Sequence, residues 1–557
     1  MIGYITGFTE EKLEQIAKDP YYSKKVKKII EYADAKLLEE PARIKYSEMH
    51  LVETTGDRAT YENVIIDYGL RMKAYALAYR FTGDEKYIMP LADIIWNICD
   101  LESWAFPFHV KESESIDRRY RWLELGSCNV GRELGEVLFL TERVLPELVV
   151  RRAKHEVRER VVEGYKRYNQ WWMTTKNNWA SVCIAGVLGS YLYFATDEEI
   201  KEQLPRMLKV GENFLMGFDP EGCCLEGYGY WNYGFSYYCI FADLVLNYTK
   251  GEINLFDNPR VHDIAKFSEN CAINEKECVR FADCATEFFA PPLYLAHYLK
   301  KVYPDVQIPP TLPPDDFIPD IRMLIWPDPA LQNVRMDGLK SKIYEGAQWF
   351  IHRGKNYNAA CKAGCNNEYH NHNDVGSFMI SKGGKVTFTD PGSGDYTAQY
   401  FGAERYTILE PSARSHSVPI INGILQKEQL VTKSTIYVAN ENEYKFSMDN
   451  GYVIDTLKSL TRDFLCEENG ITLTDTYEFS EMPTSIVERF VTLVEPKIEE
   501  GRITVGESTL VYDPALYDFE FLTDTCVRRR QVKETLYIFD FKPKCLDKNM
   551  TLEFKFI

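Results

Sequence analysis

Hydrophobic spacing changes once along this chain, and that change constrains the fold more than any other feature. Up to about residue 300, apolar side chains recur at helical spacing. Tyr68–Phe81 (YGLRMKAYALAYRF) is one such run; Thr82-Gly83-Asp84 interrupts it, and the period resumes over Tyr87–Ile98. A second break, Ala195-Thr196-Asp197, supplies caps for a helix through Leu204–Leu215. Pro304, Pro309, Pro310, Pro313, Pro314, Pro319, Pro327 and Pro329 then disfavour any continuous helix. Beyond them the period is two, as in Lys385–Thr389, Glu443–Met448, Ile471–Phe479, Thr535–Phe541 and Thr551–Ile557. Gly383-Gly384, Asn450-Gly451 and Asn469-Gly470 punctuate these strands as turns. Long paired helices predict an α/α toroid or solenoid, and strands without intervening helices predict an antiparallel sandwich. The expected architecture is multidomain, α then β: an N-terminal α/α toroid over 1–302, a Pro-rich linker over 303–330 and a C-terminal antiparallel β-sandwich over 331–557.

At 557 residues the chain exceeds a single ordinary core, and 45% hydrophobic with 27% charged residues excludes general disorder. A net charge of −18 argues against broad binding to nucleic acid or anionic membrane. The longest apolar run, Ala180–Ala195, is short for a membrane span and reads as a buried helix. Fourteen cysteines form no CxxC pair and no regular framework, which favours reduced, buried thiols. The segment MIGYITGFTEEKLEQ lacks a basic n-region and an apolar h-region. The expected location is therefore cytoplasmic, or periplasmic or secreted for a chain whose leader has been trimmed.

Three clusters carry chemistry. Only nine histidines are present, yet three fall between His370 and His416. Glu368-Tyr-His-Asn-His-Asn-Asp374 is followed by a strand, Asp390-Pro-Gly and Ser412-Ala-Arg-Ser-His416-Ser. In an extended segment His370 and His372 share a face. Imidazole with carboxylate suits zinc or a similar divalent ion, and equally a loop hydrogen-bonded to Asp374. The run Glu221–Tyr238 (EGCCLEGYGYWNYGFSYY) fits sugar stacking or an aromatic core. Trp171–Trp179 (WWMTTKNNW) fits a ligand-facing amide pair or an Asn-capped helix start. There is no GxSxG elbow, GxxxxGK[ST] loop or HExxH helix.

Together these motifs resemble the heparinase II/III-type polysaccharide lyases, whose fold is an α/α toroid followed by an antiparallel β-sandwich. The resemblance spans nearly the whole chain in element order. It rests on His370-x-His372-x-Asp374, Asp390-Pro-Gly, Ser415-His416-Ser417, Asn177-Asn178 and Gly229-Tyr-Trp-Asn-Tyr233-Gly234. It implies one divalent ion, zinc with manganese as the alternative, held by His372, Asp390 and His416 in a mainly structural role. It also implies His370 as base, Tyr233 as catalytic tyrosine with Tyr230 the runner-up, and Asn178 as the group that neutralises a substrate carboxylate. Trp179, Tyr230, Glu226, Arg132 and Arg405 are the expected substrate-binding residues, and Arg118, Arg119 and Arg121 are further candidates for a basic groove.

Two departures stand out: Trp179 occupies a position where many members have His, and Ser417-Val418 replaces the usual Asn-Thr. The implied reaction is β-elimination on a uronate glycan, a glycosaminoglycan such as heparan sulfate, chondroitin or hyaluronan, with alginate as the alternative. The expected partner is an anionic polysaccharide or oligosaccharide, with no nucleic acid and no membrane; a homodimer is left open. Two other readings remain at this stage. One is an inverting hydrolase using Asp219 and Glu226, with Glu124 a third candidate. The other is a non-catalytic sugar-binding protein.

Overall fold

The computed structural model describes residues 4–284, 293–309, 319–331 and 334–557. Its first part is helical. Helix Ala59–Thr82 stops at Gly83, whose φ of 68° needs a residue tolerant of the left-handed region, and Ile88–Asp100 follows. Thr196 and Glu199 form a reciprocal capping box that starts Asp197–Leu215. Helix Asn178–Phe194 contains the apolar run and is buried along nearly its whole length, which explains why it is apolar on every side. It approaches Leu125–Thr141 so closely that a Cβ on Gly186 would stand 2.4 Å from the carbonyl oxygen of Cys128. Among the described residues, no helix is long and apolar enough to cross a membrane. All fourteen cysteines are free thiols, and only Cys545 is exposed.

Pro310, Pro313 and Pro314 of the proline-rich stretch lie outside the described residues. Within the same stretch, Arg322–Ile325 forms one helical turn, with Met323, Leu324 and Ile325 buried in the helical core. The first strand is Lys342–Tyr344.

From there every strand pairing is antiparallel. A five-stranded meander runs through Lys342–Tyr344, Trp349–Arg353, Tyr357–Lys362, Phe378–Lys382 and Lys385–Phe388. Gly383 and Gly384, both with positive φ, make its tight last turn. Its alternation serves two cores. Trp349, Ile351, Ala360 and Met379 point into the helical core, while Phe350, Ala359, Cys361 and Phe378 point into the β core. The meander is thus a middle layer between the helices and an eight-stranded sheet, and a four-stranded sheet ending in Ile420–Ile421 completes the sandwich. A hairpin does form at Asn469-Gly470, but its two turn residues are Glu468 and Asn469, because Gly470 already pairs with Glu467 as the first residue of the next strand. Asn450-Gly451 instead belongs to a short 3-10 turn, where Asn450 Nδ2 bonds to the carbonyls of Gly364 and Thr432. The loops of the β half that carry His370, Asp390, Arg405 and His416 fold back onto the helical half near Asp283 and Tyr230.

Candidate active site

His372, Asp390 and His416 are brought together, fully buried, with candidate ligand atoms all within 4.8 Å of one another. The tautomers are set from behind. His372 Nε2 faces Asp283 Oδ1 at 3.0 Å, and His416 Nε2 faces the Glu410 carbonyl at 2.9 Å. Each N–H is therefore taken by an outer acceptor, which leaves both Nδ1 lone pairs facing inward. His372 Nδ1, His416 Nδ1 and Asp390 Oδ2 are buried with no hydrogen-bond partner. The last two lie 3.1 Å apart but out of hydrogen-bond alignment. Buried orphan donors of this type, each with its second shell satisfied, fit a divalent cation. Asp374 is not part of the group, because it forms a buried pair with Lys362 at 2.8 Å. Ser417 takes the place of the expected Asn in two ways: its hydroxyl accepts from Val491 N, and its carbonyl accepts from buried Arg462 at 2.7 Å.

His370 stands beside this group in the left-handed region (φ 56°), a strained conformation for a non-glycine residue that its neighbours hold in place. Its Nδ1 meets Asp283 Oδ2 at 2.7 Å, and its Nε2 lies 3.3 Å from Glu226 Oε2. Its ring stacks on Tyr230 with centroids 4.0 Å apart. Tyr230 in turn shares a 3.1 Å hydrogen bond with Tyr396. Burial pushes the Glu226 carboxyl up to about 7, partly offset by His370. Arg405 donates to Asp283 at 2.8 Å and to the Asn371 carbonyl, so it braces the histidine loop from behind.

Tyr233 lies one helical turn beyond Tyr230 and is 38% exposed. Burial, then Tyr237 and other neighbours, nevertheless raises its phenol well above the ordinary value. Asn178 opens the adjacent helix, and a Cβ on Gly234 would meet the Asn178 Cβ at 3.1 Å, so the two helices cross closely here. Trp179 packs against Trp171 at 4.7 Å and edge-on against His109 at 4.6 Å. An imidazole therefore does stand beside the position where Trp179 replaces His, supplied by Pro107–His109 and oriented by Glu124 at 2.7 Å.

Other nominated residues lie elsewhere or are engaged. Arg132 is buried and paired with Glu136 at 2.9 Å, and the structure does not bring it to His370. Arg118 pairs with Glu114, Arg119 with Glu102, and Arg121 with both Asp117 and Glu159. Asp219 accepts the backbone N–H groups of Glu221, Cys223 and Ala347. Glu124 accepts those of Phe106, Gly126 and Ser127 besides His109. Sequence reasoning missed Asp283, Tyr396, Tyr400 and His109, none of which sits in a recognisable motif. It also missed Arg529, exposed and 5.3 Å over the Tyr396 ring, although Arg528-Arg529-Arg530 was visible as a basic triplet.

No protein-family model and no curated protein matches the sequence. Solved structures match it over nearly its whole length. A heparinase III structure is 14% identical, with 98% of this chain and 90% of that one covered and a TM-score of 0.62. Heparan sulfate lyase HepC from Pedobacter heparinus is 13% identical over 98% and 90% of the two chains, at 0.60. Chondroitin AC lyase from Streptomyces coelicolor, solved with chondroitin sulphate, is 9% identical over 98% and 82%, at 0.56. The fold is that of the heparinase III and chondroitin AC lyases. These neighbours are polysaccharide lyases, and all share with this chain the toroid followed by a β-sandwich.

Proposed function

We propose that this protein is a polysaccharide lyase that cleaves uronate-containing glycans, of the glycosaminoglycan class, by β-elimination. The observation that carries the reading is the stacking of His370, from the β half, on Tyr230, with exposed Tyr233 one turn further along the same helix and Asn178 of the neighbouring helix packed against Gly234. Hydrogen bonds from Asn178 to the uronate carboxylate lower the cost of carbanion character at C5. His370, with Nδ1 committed to Asp283, takes the C5 proton at Nε2, and neighbouring Glu226 is placed to receive it. The C5–H electron pair forms the C4–C5 double bond as the C4–O4 bond breaks. Tyr233 gives its proton to O4; its raised phenol suits it to the acid role better than to that of a phenolate base. Tyr230 is walled in by His370 and Tyr396, which favours Tyr233 of the two.

A divalent ion on His372, Asp390 and His416, zinc by its donor set, would tie together the loops that position His370. Arg529, exposed over the Tyr396 ring, is the cation best placed to meet a substrate anion. A hydrolase reading requires two free carboxylates, and Asp219 and Glu124 are both saturated by backbone donors. The test is incubation with hyaluronan, chondroitin, heparan sulfate and alginate while following the ultraviolet absorbance of an unsaturated uronate. The expected result is absorbance with at least one glycosaminoglycan from the native protein and none from Tyr233→Phe. A fully active Y233F variant contradicts the role given to Tyr233.

A further inference from the structure

A wall of side-chain contacts beside His370 joins the two halves of the molecule. It begins at His370, whose ring meets Phe401 edge-on at 6.4 Å. Arg58, just ahead of helix Ala59–Thr82, lies 5.9 Å from the Phe401 ring and 4.3 Å over Phe108. Both separations are within the roughly 6 Å range of direct cation–ring contact. Arg58 Nη2 lies 3.5 Å from His109 Nε2, and His109 continues the wall to Trp179 and Trp171. Two residues ahead of Arg58 the same two segments also approach, since a Cβ on Gly56 would stand 3.2 Å from the Ala398 Cβ. Glu62 holds the Arg58 Nε at 3.0 Å, which fixes the guanidinium in this bridging position.

A polysaccharide threaded past His370 toward Arg58 would have to separate these contacts. We infer that the protein cuts from a chain end, releasing one small unsaturated product per event, and that Arg58 and Phe401 set this specificity by blocking the next sugar position. This rests on the lyase reading and adds the mode of attack and the form of substrate: chain termini and short oligosaccharides rather than internal bonds.

The experiment is a time course on whichever polymer yields unsaturated product, following product size and residual polymer length by size-exclusion chromatography. The expected result is a single small product from the earliest time points, with polymer length falling only in proportion to turnover. In an Arg58→Ala/Phe401→Ala double variant, polymer length should fall several-fold faster per bond cut, and intermediate sizes should appear. A ladder of sizes with early collapse of polymer length from the native protein overturns the inference while leaving the lyase reading intact. Absence of unsaturated product from every polymer overturns the lyase reading, and the inference falls with it. If the double variant does not fold, the native time course alone decides.

Discussion

Asp283 ties His370 to His372. Its buried carboxylate accepts from Tyr400 at 2.6 Å, Arg405 at 2.8 Å, His372 at 3.0 Å and His370 at 2.7 Å. Burial alone would raise this group, but Arg405 and the two imidazoles overcome it and hold the carboxyl well below its ordinary range. Asp283→Asn keeps the shape and removes the charge, leaving Arg405 without its counterion. The expected loss is about 3–5 kcal/mol, read from urea unfolding, together with loss of activity. Three carboxyls behave oppositely: burial pushes Glu226, Glu269 and Glu368 each up to about 7. A folded value above the unfolded one, near 4.5, means that the native state holds more protons between those limits. Their contribution to stability is fully present below about 4.5, is lost as pH rises to 7, and is flat above. Glu269 lies outside the site, so Glu269→Gln should flatten the melting temperature between pH 5 and pH 7 without changing activity. An unaltered slope would show that Glu269 is not one of the groups responsible.

At the level of elements, the strand Leu457–Glu467 braces the candidate metal centre from below. Arg462, wholly buried and paired with Asp475 at 2.8 Å, donates to the carbonyls of Ser417 and Gly376. The loops bearing His372 and His416 thereby share one anchor, and a metal ion would be a second. Chelation should therefore lower the melting temperature of the native protein. His416→Ala should start lower and show no further drop on chelation, with metal content measured alongside. A native protein that melts identically with and without chelator would contradict the ligand assignment. The strength of local signals explains which elements were legible in the sequence. Gly83, the Thr196 cap and the Gly383-Gly384 turn each carry a local conformational demand, so they are legible in the sequence. At Asn450-Gly451 the same dipeptide signal met a tertiary one, the Asn450 bonds to Gly364 and Thr432, and the local reading failed.

For the whole molecule, the toroid and sandwich were legible because periodicity changes once and cleanly. The cross-domain partners were not, because Asp283 and His109 reach the site only through packing between distant segments, and neither has a characteristic spacing. The expected basic groove also needs revision. Arg118, Arg119, Arg121, Arg132 and Arg405 were nominated as free forks, but each is paired with an acid. Charge counted along a chain does not reveal which charges neutralise one another. What surrounds His370 instead is mainly aromatic: Tyr230 stacked on it, Tyr396 bonded to Tyr230, and Phe401 edge-on.

Elimination and hydrolysis differ by one molecule of water: hydrolysis adds it across the broken bond and so places its oxygen in the product, and elimination does not. Cleavage in heavy-oxygen water, followed by mass spectrometry of the products, therefore tests the central claim most directly. Elimination should give a product whose new non-reducing end is an unsaturated uronate carrying no heavy oxygen. Heavy oxygen at the newly formed end of a saturated product would contradict it.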